Sequence, residues 1–109
     1  LLYDWGIHLI DQVLILFAED NPVSVYAELQ KIRMDKVDDV CRVNIAFESG
    51  LRVQVIADLW CYIPEPRWHL SGDDGTAIIN EWFKDEGKLI KANINLCFTR
   101  FYYILLVKV

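Results

Sequence analysis

At Asn21-Pro22 the apolar residues of this 109-residue chain change their spacing, and that change limits the folds open to it. Before it, Ile7, Leu9, Ile10, Val13, Leu14, Ile15, Leu16 and Phe17 crowd a segment that fits a helix template over residues 4–18. After it, Val23, Val25, Ala27 and Leu29 alternate with Ser24, Tyr26, Glu28 and Gln30, the period-two pattern of a half-buried strand. Asn21-Pro22 itself is a stop signal for the helix. Gly6 is a poor helix former, so its presence in the first turn points to close approach of another element there.

The same alternation returns twice. Cys41, Val43, Ile45 and Phe47 face away from Arg42, Asn44 and Glu48, and Leu51, Val53, Val55, Ala57 and Leu59 oppose Arg52, Gln54, Ile56 and Asp58. Ser49-Gly50 makes a tight turn between them, so the two runs read as a hairpin, reached through a charged loop from Arg33 to Asp39. Pro64 and Pro66 mark a loop, since proline cannot donate to a ladder. Further short strands are expected on either side of Ser71-Gly72-Asp73-Asp74-Gly75 and of Lys84-Asp85-Glu86-Gly87, the latter separating Glu81-Trp82-Phe83 from Lys88-Leu89-Ile90-Lys91. One N-terminal helix followed by a mainly antiparallel, open β-sheet is an α+β fold, here in a single domain over residues 1–109. The stretch 92–109 stays open between a divergent strand, a helix and an appended tail.

Composition narrows the function. At 54% hydrophobic residues, with four tryptophans, the chain has the material for a true core. A net charge of −5 and the lack of any basic cluster exclude a nucleic-acid surface, which needs Lys and Arg against backbone phosphates. Cys41, Cys61 and Cys97 are odd in number and without paired ligand spacing, so a reducing, cytoplasmic setting is expected. The apolar run Phe101 to Val107 is far short of the roughly 20 residues that span a bilayer, so no membrane partner is expected. The chain opens Leu1-Leu2-Tyr3 and enters its helix at once, which reads as a piece of something longer.

Asp4, His8 and Asp11 project from one face of the helix, with Gln12 beside them. A narrow ionisable stripe on an otherwise apolar helix is expected either to meet buried polar partners or to line a cavity. Asp4 and His8 can be read as an acid–base pair, because histidine titrates near neutrality and a carboxylate one turn away orients it and stabilises its cation. They can equally be read as a helix N-cap followed by a buried, satisfied histidine. A metal site is not expected, since His69 is the only other histidine and sits in a strand-like segment.

Several blocks in order carry a resemblance. Leu2-Tyr3-Asp4-Trp5-Gly6-Ile7-His8-Leu9-Ile10-Asp11-Gln12, then Pro22-Val23-Ser24-Val25-Tyr26-Ala27, Val37-Asp38-Asp39, Ala46-Phe47-Glu48-Ser49-Gly50 and Leu70-Ser71-Gly72-Asp73-Asp74-Gly75 resemble the C-terminal domain of the Gfo/Idh/MocA oxidoreductases. The likeness runs from residue 2 to about residue 91. It implies a two-domain enzyme using NAD or NADP on a sugar, polyol or related alcohol, with a dinucleotide-binding domain followed by a helix and an open sheet that shapes the substrate site and forms the oligomer interface. In such enzymes a lysine of the first domain works with an aspartate and a histidine that match Asp4 and His8. Asp11 matches a further acidic position, structural or substrate-orienting. Two family features are missing here: no G-x-G-x-x-G follows a strand, and the lysine-bearing E-K-P segment is absent. No cofactor binding and no turnover are therefore expected of this chain alone.

Other residues carry weaker signals. Trp5 is either a substrate contact or packing. Trp60, Tyr62, Arg67 and Trp68 surround the proline loop as a sugar-stacking patch, an interface, or ordinary sheet-edge aromatics with a solvated arginine. Tyr26, Ile32, Ile56 and Trp60 fall opposite the main apolar stripes, so a homo-oligomer through the outer sheet face is expected. The rival class is a sheet-mediated dimerisation module without a catalytic role; a small sugar-binding domain using the loop from Trp60 to Trp68 is a third.

Overall fold

The computed structural model describes residues 1–63, 65–80, 87–91 and 101–108. A single π-helical turn, Leu2–Gly6, runs directly into α1, Ile7–Leu16. Among the described residues seven strands follow: β1 Pro22–Gln30, β2 Val40–Phe47, β3 Arg52–Asp58, β4 Trp68–Gly72, β5 Gly75–Ile79, β6 Lys88–Lys91 and β7 Phe101–Lys108. They form one sheet in the order β1-β2-β3-β7-β4-β5-β6. Every pairing is antiparallel except β3 with β7. The α+β class and the mainly antiparallel sheet expected from the sequence are what forms.

The β2–β3 hairpin is the anchor. Its turn puts Gly50 at φ +99°, a conformation that side chains disfavour, so glycine is required there. The register pairs Val43 with Val55 and Ile45 with Val53, which sets all the odd-numbered residues on one face. On that face Leu9 and Val13 of α1 meet Cys41, Val43, Ile45, Phe47, Leu51, Val53, Val55 and Ala57, all nearly inaccessible, with Ile10, Phe17, Trp68 and Leu70 packed around them. Phe17 and Phe47 cross with ring centroids 6.2 Å apart. Gly6 answers the expectation of close approach, since a Cβ there would lie 3.0 Å from Leu2 Cδ1 and 3.4 Å from Cys41 Sγ. The other face, bearing Tyr26, Asn44, Gln54 and Arg52, is open and shallowly depressed.

Three expectations need correction, and one question left open is decided. The α-helix proper starts at Ile7, three residues later than expected, because the first turn is wound as a π turn in which Asp4, Trp5 and Gly6 all donate to the Leu1 carbonyl. β1 is not half-buried: all nine residues are exposed, because α1 lies over β2 and β3 and does not reach it. Of the residues assigned to the outer sheet face, Tyr26 and Ile56 are there by register, but Ile32 lies in the loop after β1 and Trp60 in the turn after β3, outside the ladders. The segment left open at the end of the chain contains β7, which enters the middle of the sheet instead of trailing from it. The expectations for Glu81-Trp82-Phe83, Lys84-Asp85-Glu86 and residues 92–100 lie outside the described residues. Cys41 and Cys61 are free thiols, the Cys61 Sγ donating to the Ile63 carbonyl at 3.1 Å.

Candidate functional site

Gly6, Leu9 and Val13 form the buried stripe of the helix. At 100° per residue, Asp4, His8, Asp11 and Ile15 fall on the opposite side, and all four are exposed. The spacing therefore does bring the two aspartates and the histidine onto one face. Among the described residues that face is turned to solvent, with no buried polar partner around it. The cause is simple: the sheet needs one apolar stripe of the helix, and the charged stripe lies diametrically across from it. Nor does Asp4 cap the helix. The N-cap is Leu1, with no side-chain cap hydrogen bond, and His8 is not buried, so the reading of this pair as cap and core histidine is set aside.

Around the polar stripe the helix stays apolar in the open: Ile7, Leu14, Ile15 and Leu16 are all at least two-fifths exposed. Trp5 lies on one flank, partly exposed, seven residues before Gln12. Arg67, half-buried at the end of the proline loop, places Nη2 3.5 Å from Gln12 Oε1. That contact carries the loop to the helix one turn from His8 and beside Asp11. Asp4, Trp5, His8, Asp11 and Arg67 thus share one region of the surface.

The loop aromatics do not form a single platform. The Trp60 indole N–H donates to Asp39 Oδ2 at 2.8 Å and its ring lies under the Arg33 guanidinium, 4.3 Å from the centroid. Trp68 packs against the core, and Tyr62 stands in solvent. Among the described residues no group of three His, Cys, Asp or Glu side chains is placed to hold a metal ion. No helix among them is long and apolar enough to cross a membrane.

What positions the helix is a pair of carboxylates that the sequence reading quoted but gave no role. Asp38 and Asp39 are neighbours just before β2, and their side chains serve different partners. Asp38 Oδ2 accepts the Leu2 amide at 2.7 Å, and its carbonyl accepts from the Leu1 nitrogen at 3.0 Å, which ties down the turn that carries Asp4. Asp39 is fully buried. Its carboxylate accepts the amides of Ile32, Arg33 and Met34 at 2.7, 2.7 and 3.1 Å as well as the Trp60 indole. Burial pushes its pKa up, but these four donors outweigh burial and hold it well below the ordinary carboxylate range. The bonds to Ile32, Arg33 and Met34 are short-range, and an aspartate closing a polar loop is the available sequence signal for them. At the far end of the helix Asp20 accepts the amides of Asn21 and Ser49 and the Ser49 hydroxyl, clasping the β2–β3 turn.

Helix, hairpin and loop in this arrangement are those of a known domain. Residues 1–78 match the family model of the GFO/IDH/MocA C-terminal domain. The chain is also similar to an NAD-binding protein from Listeria innocua, at 39% identity and a TM-score of 0.76, over 83% of this chain and 25% of that one. No curated protein matches it. The chain belongs to the GFO/IDH/MocA family, as its C-terminal domain. It spans about a quarter of the length of that solved relative.

Proposed function

We propose that this chain is the substrate-binding and oligomerisation domain of an NAD(P)-dependent oxidoreductase acting on a sugar, polyol or related alcohol. The observation that carries the reading is the exposed stripe of Asp4, His8 and Asp11 set in a rim of exposed Ile7, Leu14, Ile15 and Leu16. Apolar surface around convergent polar groups is what a second domain closes over to make a site. His8 is the residue to take or return the proton of the substrate hydroxyl, with Asp4 orienting the imidazole; Trp5, Asp11 and Arg67 contact the substrate. Bound NAD or NADP supplies the hydride acceptor or donor.

The described part of this chain does not fit the cofactor's phosphates. Its helix precedes every strand, so no strand runs into a helix N-terminus to make the glycine-rich turn that cradles a dinucleotide. Calorimetry of the chain alone with NAD and NADP is expected to be flat. Fused behind a dinucleotide-binding domain of the family, the chain is expected to support hydride transfer. There His8→Ala should lower kcat by about 10²–10⁴-fold, the usual worth of a positioned acid–base. Activity indifferent to His8→Ala and Asp4→Asn would remove the catalytic reading. The open sheet face, with Tyr26 and Ile56, supports self-association; an Ile56→Glu variant that leaves the oligomeric state of wild type unchanged would argue against it.

A further inference from the structure

The two edges of the sheet are built differently. At one edge β6 is four residues long and carries a lysine at each end, Lys88 and Lys91. Short length and flanking lysines are the usual protection of a strand edge, and self-pairing of this segment in full register would set Lys88 against Lys91. At the other edge β1 runs for nine residues, Pro22–Gln30, roughly 30 Å of strand. It has no lysine, one charge (Glu28), and its only irregularity is at its very start, between Pro22 and Ser24. Its whole length is exposed, Val25 at 64% and Leu29 at 50% among its residues. Among the described residues nothing pairs with its outer side.

We infer that β1 is a homotypic interface, pairing antiparallel with β1 of a second copy about a two-fold axis through Tyr26. That is the antiparallel register in which all nine residues find a partner. It sets Val25 opposite Ala27, Val23 opposite Leu29, Ser24 opposite Glu28 and Pro22 opposite Gln30. Apolar residues meet apolar ones, and the glutamates of the two copies are kept apart. The pairing is isologous, so it closes at two copies and joins the two sheets into one. It uses the edge of the sheet, whereas the self-association proposed above uses the open face, and the two are separable because Val25 and Ala27 pair with Ile45 and Val43 and so lie on the helix side.

The test is an exchange of charges across the edge. With the open face blocked by Ile56→Glu, a change carried by every variant below, the full chain is expected to sediment as a dimer at about 100 μM. Val25→Lys with Ala27→Lys sets lysine against lysine twice and should raise the dissociation constant by about tenfold or more. Val25→Glu with Ala27→Glu should do the same. An equimolar mixture of the two variants should recover the dimer, since every lysine then faces a glutamate. Circular dichroism identifies a variant that has failed to fold. In that event hydrogen exchange on wild type decides: protection of the β1 amides should fall on dilution through the dissociation range, and protection independent of concentration would overturn the proposal. It is also overturned by a monomer at 100 μM, by variants that remain dimeric, by a mixture that stays monomeric, or by growth into filaments, which would mean pairing of β1 with β6.

Discussion

β1 and β2 read almost alike in sequence and lie side by side, yet their circumstances differ completely. Val25, Ala27 and Leu29 of one strand sit directly across from Ile45, Val43 and Cys41 of the other, on the same face of the sheet. The β2 residues are at most 4% exposed, while Val25 and Leu29 keep half or more of their surface. The cause is geometric. A helix with its side chains is about 10 Å across and neighbouring strands are about 4.8 Å apart, so one helix shelters two strands. α1 lies over β2 and β3, and β1 falls outside its shadow. Alternation thus establishes which residues share a face, and the number of covering elements decides whether that face is buried.

Truncating a side chain in each row separates the two strands most clearly. Phe47→Ala should cost about 3–5 kcal/mol in urea unfolding, and Val25→Ala less than about 0.5 kcal/mol at a concentration where the chain is monomeric. Comparable losses at the two sites would show that β1 is covered after all. Asp39→Asn should follow Phe47→Ala in severity, because the amide sets an N–H group against N–H donors that the carboxylate accepts.

The same residue gives the comparison a pH dependence. The folded-state pKa of Asp39 is depressed below its ordinary 3.8, so the unfolded chain binds the proton more readily. Its contribution to stability is complete above that value and is lost as pH falls from there toward the folded value. Asp20, lowered chiefly by the Ser49 hydroxyl, acts in the same direction. Urea midpoints measured between pH 6 and 3 should fall for wild type and fall less for Asp39→Asn; parallel curves would contradict the assignment.

A smaller effect tests the close approach of the helix to β2. Gly6→Val should cost about 1–3 kcal/mol by forcing Leu2 and Cys41 apart, whereas an unchanged midpoint would mean that the contact yields freely. The smallest effect is expected on the opposite face of the same helix. His8→Ala should leave stability within about 0.5 kcal/mol of wild type, because an exposed side chain holds no part of the core. A large loss would make His8 structural and weaken its proposed role in proton transfer.

Much of this was legible beforehand. The spacing of Asp4, His8 and Asp11 gave their common face, the alternations of residues 41–48 and 51–59 gave the central hairpin, and Ser49-Gly50 gave its turn. The exposure of β1 was not legible, because nothing local in Val23 to Leu29 records how far a helix in another part of the chain extends. Nor was the place of β7: a strand that pairs in parallel with a distant partner leaves no turn signal linking the two. At the site, residue types were readable and supports were not. The hold of Asp38 on Leu2 spans 36 residues of sequence, whereas the grip of Asp39 on Ile32 to Met34 was within local reach and passed for an ordinary charged loop.

The position of β7 also has a consequence for how the chain acquires its shape during synthesis. β1 to β3 and β4 to β6 each pair strands that are consecutive in sequence, the low-contact-order pairings expected to form first. The parallel seam between β3 and β7 closes about fifty residues of intervening chain, a slow, non-local step. Until residues 101–108 emerge, β3 and β4 present bare inner edges, and the nascent polypeptide is two half-sheets without the strand that joins them. Nascent chains held on the ribosome short of β7 are the stage most exposed to mispairing with their neighbours and most in need of chaperone cover.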